Sequence, residues 1–331
     1  VFLVQDVSLA IVFCVVTMLG WGSWANTQKL AGKDRWPFEL YYWDYALGVF
    51  FLGLVFTFTL GAAGSTGMSA LDNLGQASRE PVLRALLSGA LFNVANILLV
   101  VAIDAAGMAV AFPVGVGLAL VIGTVASYLQ APKGNPVLLF AGVVLVVAAM
   151  ILSGAAHRRL PRRAGLRSGK GLLFAILAGC LMGFFYPQLM RSISPNFVSG
   201  TIQQGFLTPY TALLFFGAGL LASNLIVNSI FMKAGGVTYA DYRRGSGRQH
   251  SLGLLGGLIW MLALSSNVIA SGVAGPAISY ALGQGATLIA AIWGVFIWKE
   301  FRDAPAGTMP LVVMMFAGYL AGLTLIGAAT L

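Results

Sequence analysis

Apolar and polar positions in this chain alternate in long blocks rather than residue by residue. Apolar runs of roughly 20 residues recur, a length that spans a hydrocarbon core of about 30 Å as a helix, and short stretches holding most of the charge separate them. In lipid only a helix or a closed barrel satisfies its own backbone, and the runs lack the period-two rhythm of a barrel strand. The pattern predicts an all-α integral membrane protein with ten spanning helices. Spans one to five are placed at Val7–Asn26, Glu39–Gly61, Pro81–Ile103, Met108–Gln130 and Pro136–Ala155. Spans six to ten are placed at Gly171–Arg191, Gly205–Met232, Leu252–Ala270, Val273–Trp298 and Thr308–Thr330.

Two joints are nearly loopless, around Asp104–Gly107 between spans three and four and around Ser271–Gly275 between spans eight and nine. Their matching places suggest two five-helix halves, 1–155 and 171–331, joined by a basic linker at 156–170. Sliding the chain on itself by 168 positions lays Gly89, Gly107, Gly115 and Gly117 on Gly257, Gly275, Gly283 and Gly285, and Phe112 on Tyr280. Glycine makes up 42 of 331 residues, too few for four such coincidences to be ordinary. Halves with an odd number of helices sit inverted in the membrane, the plan of many secondary transporters. Gly115-x-Gly117 and Gly283-x-Gly285, near Pro113 and Pro276, mark helices that are closely packed or able to bend.

Composition narrows the class. The chain is 59% hydrophobic and 9% charged, whereas a soluble domain carries roughly a quarter charged residues. Its net charge of +9 lies in short loops, so it reads as membrane topology and not as a nucleic-acid surface. Loops after spans one, five, seven and nine hold fifteen Lys and Arg against four on the other side. That asymmetry makes the basic side cytoplasmic in a plasma (inner) membrane and both termini non-cytoplasmic. The first span has no basic leader and no small-residue cleavage site, so it reads as a helix and not a signal peptide. Cys14 and Cys180 fall inside apolar spans as small hydrophobes, and no metal site follows from them.

Polar side chains inside spans are costly and therefore informative. Asp44, flanked by Tyr41, Tyr42, Trp43 and Tyr45, is the candidate proton-coupling group. Its alternative is an interfacial position paired with Lys29 or a helix N-terminus. Asp104 reads as a turn residue, and Lys299–Glu300 as an interfacial pair closing span nine. The substrate-binding candidates are Trp21, Trp24, Asn93, Asn96, Tyr186, Trp260, Asn267, Tyr280 and Gln284, within a wider set that adds Asn26, Gln188, Asn224, Asn228 and Ser279. Amides offer donors and acceptors together, which suits a neutral hydrogen-bonding solute. Asn93 and Asn96 share a helix face, as do Tyr280 and Gln284. For any single Asn, helix-to-helix bonding is the stronger explanation; as a set they favour a cavity at spans three, four, eight and nine. Catalytic motifs are absent, and His157 and His250 are assigned to cytoplasmic loops. The chain is expected not to be an enzyme.

Several segments carry a family resemblance. Tyr42-Trp43-Asp44-Tyr45 is similar to the Tyr-Leu-Asp-Tyr of plant ureide permeases, Val121-Ile122-Gly123-Thr124 to their Val-Ile-Gly-Thr, and Pro209-Tyr210-Thr211-Ala212 to their Val-Tyr-Thr-Ala. Trp293-Gly294-Val295-Phe296 and Lys299-Glu300-Phe301-Arg302 resemble their Trp-Gly-Ile-Leu and Gly-Glu-Tyr-Arg. The chain thus resembles the ureide permeases within the drug/metabolite transporter superfamily. It also resembles the related bacterial sugar uptake branch of glucose/ribose porters and rhamnose–proton symporters, whose amide-rich segment is similar to Phe92-Asn93-Val94-Ala95-Asn96. The linker is shorter here than in the plant proteins. The resemblance implies proton-coupled import, by alternating access, of a small neutral polar solute: a monosaccharide, or a ureide or nucleobase such as allantoin or uracil. The alternative within the superfamily is an exporter or facilitator of amphipathic metabolites. No cofactor is expected beyond the proton gradient, and no partner beyond substrate and bilayer.

Overall fold

The computed structural model describes residues 1–33, 35–62, 67–160 and 169–330. Its helices are α1 (Val7–Ser23), α2 (Ala25–Lys33), α3 (Phe38–Phe58), α4 (Ala70–Gln76), α5 (Arg79–Ala106), α6 (Met108–Gln130) and α7 (Pro136–Arg158). There follow α8 (Gly169–Met190), α9 (Pro209–Gly235), α10 (Tyr239–Arg243), α11 (Gly247–Ala274), α12 (Pro276–Gly283), α13 (Ala286–Ile292) and α14 (Thr308–Ala328). Among the described residues there is no strand, and ten helical segments are long and apolar enough to cross a membrane. The chain is a multi-pass membrane protein. Residues 161–168 of the predicted linker, including Arg162, Arg163 and Arg167, lie outside the described residues.

Local chemistry starts the helices where the pattern places them. Asp6 accepts the Leu9 amide at 2.9 Å to open α1, and Asn135 caps α7 ahead of Pro136. Thr208 and Thr211 form a capping box at α9, with Pro209 in its first turn. Side chains such as Leu225, Ile226, Ile230, Val313 and Leu320 are exposed, while Asn93, Asn224, Asn228 and Asn267 are fully buried. Polar groups turned inward and aliphatic groups outward are what a hydrocarbon solvent selects.

Two compact units emerge, Val1–Asn93 with Gln188–Val273 and Val94–Pro187 with Ala274–Leu331. Each takes helices from both halves of the sequence. In the first unit α3 packs on α9, and α11 runs against α1 and α3. In the second unit α7 pairs closely with α14, and α6 packs on both α7 and α12.

Helices α5 and α11 have the same length, 28 residues, and start 168 positions apart. Each ends at one glycine that also caps the next helix: Gly107 at φ 80° and ψ 156°, Gly275 at φ 88° and ψ 147°. A side chain is strained in that conformation, so both joints require glycine. The first unit also contains one close crossing twice. Gly89 of α5 lies against the Phe216 carbonyl and the Leu220 amide of α9, and Gly219 answers against the Leu86 carbonyl. Gly257 of α11 lies against the Tyr45 carbonyl and the Val49 amide of α3, and Gly48 answers against the Leu254 carbonyl. Every residue of the first crossing maps onto the second by a shift of 168 for α5 to α11 and 171 for α3 to α9.

The ninth span departs from the expectation of one continuous helix. It breaks between α12 and α13 at Gln284–Gly285 and ends in a π turn at Trp293–Ile297, whereas α6 runs unbroken through Gly115–Gly117.

Backbone fills the space that a side chain on Gly257 would need. Gly257→Val should therefore lower stability by about 1–3 kcal/mol, read as an earlier thermal melt in detergent. Gly75→Ala, where an added methyl meets nothing within 4 Å, should leave the melt unchanged or slightly later.

Candidate functional site

Asp44 lies in the second turn of α3, and only 7% of its side chain is exposed. One carboxylate oxygen accepts the Tyr242 phenol at 2.6 Å. The other lies 2.9 Å from Nδ1 of His250, which is 3.1 Å from the first. The alternative reading gave Asp44 an interfacial position paired with Lys29 or a helix N-terminus; its observed partners are Tyr242 and His250, the latter in the first turn of α11. Two short-range devices deliver them. Thr238 and Asp241 form a capping box that fixes α10 and aims Tyr242, and their bonds hold the exposed Asp241 carboxyl below its ordinary range. Ser246 and Gln249 exchange bonds at the head of α11, with the Ser246 backbone N–H donating to the Gln249 side-chain Oε1 at 2.7 Å, and so place His250 in the first turn.

Close packing holds the cluster. Trp36 meets the His250 ring edge-on with centroids 5.4 Å apart, and Tyr242 does so at 4.8 Å. Gly253 brings α11 against the Asp44 side chain, and the Tyr41 hydroxyl lies 2.7 Å from the Thr27 hydroxyl beside it. Burial, then the bond to and charge of Asp44, push the Tyr242 phenol above its ordinary range, so it remains a donor throughout the neutral region. His250 is corrected from a loop residue to part of α11. The helix begins at Gly247, five residues before the predicted start at Leu252. His157 is corrected likewise: it lies in the last turn of α7, with Nε2 3.7 Å from the Glu300 carboxylate. Asp104 is exposed in the last turn of α5.

The same unit gathers the predicted indoles. Trp260 stacks on Trp21 and Phe216 at 5.9 and 5.7 Å, touches Phe92 at 4.1 Å, and lies 6.4 Å from Tyr45, which in turn meets Trp24 at 5.0 Å. Around these rings are buried polar groups with unspent bonding capacity. The Asn93 amide nitrogen donates to the Ser223 hydroxyl at 3.0 Å, but its carbonyl oxygen has no partner among the described residues. The same holds for the Tyr45 hydroxyl and both amide atoms of Asn224. An unmet buried polar atom costs about 1–3 kcal/mol, so such groups are where a hydrogen-bonding solute gains most. Asn267 is fully buried in this unit too.

The second unit holds Asn96, Tyr186, Ser279, Tyr280 and Gln284. Tyr186 and Tyr280 stack at 4.9 Å, and the Tyr280 hydroxyl donates to the Ala119 carbonyl at 3.3 Å. Gly123 leaves room for the Tyr280 ring, which explains the glycine of the Val121–Thr124 segment. Asn96 and Ser279 are buried, and Gln284 occupies the break in span nine. Sequence reasoning missed Tyr242, Tyr45 and Thr124, whose buried hydroxyl has no partner among the described residues. It also missed the role of His250, although Ser246-x-x-Gln249 is a legible helix-start signature.

No protein-family model matches the chain. Over 99% of its length, and 99% of theirs, it is similar to three Arabidopsis thaliana proteins: ureide permease 1 at 20% identity, ureide permease 4 at 24% and ureide permease 2 at 21%. These relatives are permeases and not enzymes, and they place the chain beside transporters of ureide-like small solutes.

Tyr242→Phe removes one donor to Asp44 and keeps the ring against His250. It should cost about 1.5 kcal/mol, the low end for a bond to a charged acceptor because Tyr242 retains solvent contact. Thermal denaturation at neutral pH reads this loss, and Tyr239→Phe on the same short helix should cost less.

Proposed function

We propose that the chain is a secondary active transporter that imports a ureide or a related neutral heterocycle by alternating access, driven by a proton gradient. Asp44 carries the coupling proton in this reading. The observation behind it is a buried carboxylate in a membrane span whose side-chain partners, Tyr242 and His250, are both groups that can be neutral. A carboxylate at that depth is costly while charged and moves between protonation states when its surroundings change. Full-length similarity to the ureide permeases supports the solute class over a monosaccharide.

Two inverted five-helix repeats, 1–155 and 171–331, supply the moving parts. The equal lengths of α5 and α11, their glycine joints and the twice-used crossing support a duplication. Trp21, Trp24, Asn93, Trp260 and Asn267 of the first unit are the proposed solute contacts. Ring faces stack on a flat heterocycle while amides meet its N–H and C=O groups. The interruption at Gln284 fits the broken helices that transporters place at their binding sites. The basic loops face the cytoplasm in this arrangement.

Proteoliposomes given an acidic exterior should accumulate radiolabelled allantoin or uracil, with alkalinisation of the medium. Asp44→Asn should reduce gradient-driven accumulation at least tenfold and leave solute exchange at zero gradient largely intact. Undiminished accumulation by Asp44→Asn would remove Asp44 from coupling, and accumulation without proton movement would favour a facilitator.

A further inference from the structure

We infer that His250 is the second proton carrier of this site, passing the proton between the buried Asp44 carboxyl and the aqueous end of the bundle at the α10–α11 loop. The inference rests on the coupling role proposed for Asp44 and extends it to a path. Asp44 is 7% exposed and His250 is 30% exposed, so the imidazole is the more open half of the pair. Its Nδ1 faces the carboxylate at 2.9 Å, close enough for direct transfer, while its far edge lies beside Gly245 of the loop.

Among the described residues, the groups around the carboxylate leave little choice of route. The titratable side chains described as facing Asp44 are Tyr242 from α10 and His250 from α11, with Tyr41 on its own helix. From α2 comes the Thr27 hydroxyl, which is bonded to Tyr41. Tyr242 holds its proton too tightly to pass it on near neutrality. Imidazole changes charge in the neutral range and has two nitrogens, so it can take a proton on one side and give one up on the other.

The step balances without a further reactant. With Asp44 protonated, its O–H proton moves to Nδ1 of an imidazole that already carries a proton on Nε2. The imidazolium then releases its Nε2 proton to water at the loop. Asp44 is left as carboxylate, His250 as the neutral Nδ1–H form donating to it, and one proton has been delivered. Loading from the loop side is the same sequence reversed. Trp36 and Tyr242, both edge-on to the ring, hold it in the orientation that the transfer needs.

Two measurements test this. The chain has only two histidines, His157 and His250, so histidine-selective ¹⁵N NMR on a His157→Gln background isolates one imidazole. The titration of His250 should spread over two coupled steps with Asp44 present and collapse to one step in Asp44→Asn. A single step of the same midpoint in both would overturn the inference, whatever the solute. In proteoliposomes, His250→Gln keeps an amide beside Asp44 but cannot relay. It should slow gradient-driven allantoin uptake about tenfold and flatten its pH profile, with exchange at zero gradient preserved. His250→Ala should regain uptake when imidazole is supplied on the loop side, whereas Asp44→Asn should not. A wild-type pH profile in His250→Gln, or no rescue by imidazole, would sink the relay while leaving the coupling role of Asp44 standing. Loss of accumulation by neither His250→Gln nor Asp44→Asn would sink both.

Discussion

A carboxylate inside a membrane-spanning helix has to be neutralised or surrounded by donors, and the way Asp44 meets that demand organises the first unit. A charged side chain at membrane depth costs on the order of 2.5–3.5 kcal/mol even by the milder scales. Offsetting that cost takes two partners from two different elements, the Tyr242 phenol on α10 and the His250 imidazole on α11. Each element must then be fixed in its own right. The capping box at Thr238 does so for α10, and the Ser246–Gln249 exchange for α11. A polar requirement on α3 thus dictates loop structure almost 200 residues later in the chain.

Close approach of backbones is the second condition. Helices in lipid gain little from hydrophobic contact with one another, so packing depends on small residues that let backbones meet. Gly253 brings α11 against Asp44, and Gly257 and Gly48 continue the same seam one turn further on. The seam between α5 and α9 repeats the α11 and α3 geometry residue for residue through Gly89 and Gly219. Glycine here determines how near a donor can come to its acceptor, which couples the packing pattern to the chemistry of the site.

The sequence was most legible where one physical demand acted alone. Span lengths follow hydrocarbon thickness, and α6 was placed at Met108–Gln130 as observed. The single-residue joints at Gly107 and Gly275 were visible because neither leaves room for a loop. Legibility failed where a helix starts in water. Gly247–Arg248–Gln249–His250 is polar, so hydropathy moved the start of α11 to Leu252 and left His250 in a loop. Partners far apart in sequence were also hidden: nothing local to Tyr42-Trp43-Asp44-Tyr45 names Tyr242. The break at Gln284 was concealed differently, since Gly115-x-Gly117 has the same spelling and remains helical. Neighbours decide which of two glycine pairs opens.

The identity of the partners bears on what Asp44 can do. A lysine or arginine at the His250 position would hold the carboxylate ionised by a permanent opposite charge, and proton exchange near neutrality would then be suppressed. An apolar residue there would leave the charged form to the Tyr242 phenol and favour the protonated acid. Imidazole avoids both extremes because its own charge can follow that of the carboxylate. When Asp44 is ionised, His250 offers a donor; when Asp44 is protonated, the ring can accept instead, so neither state leaves a buried polar group unmatched. Tyr242 stabilises the ionised state without adding a charge that must be moved. If Asp44 carries the coupling proton as proposed, two protonation states that each keep their hydrogen bonds are what a gradient would act on to drive a conformational cycle.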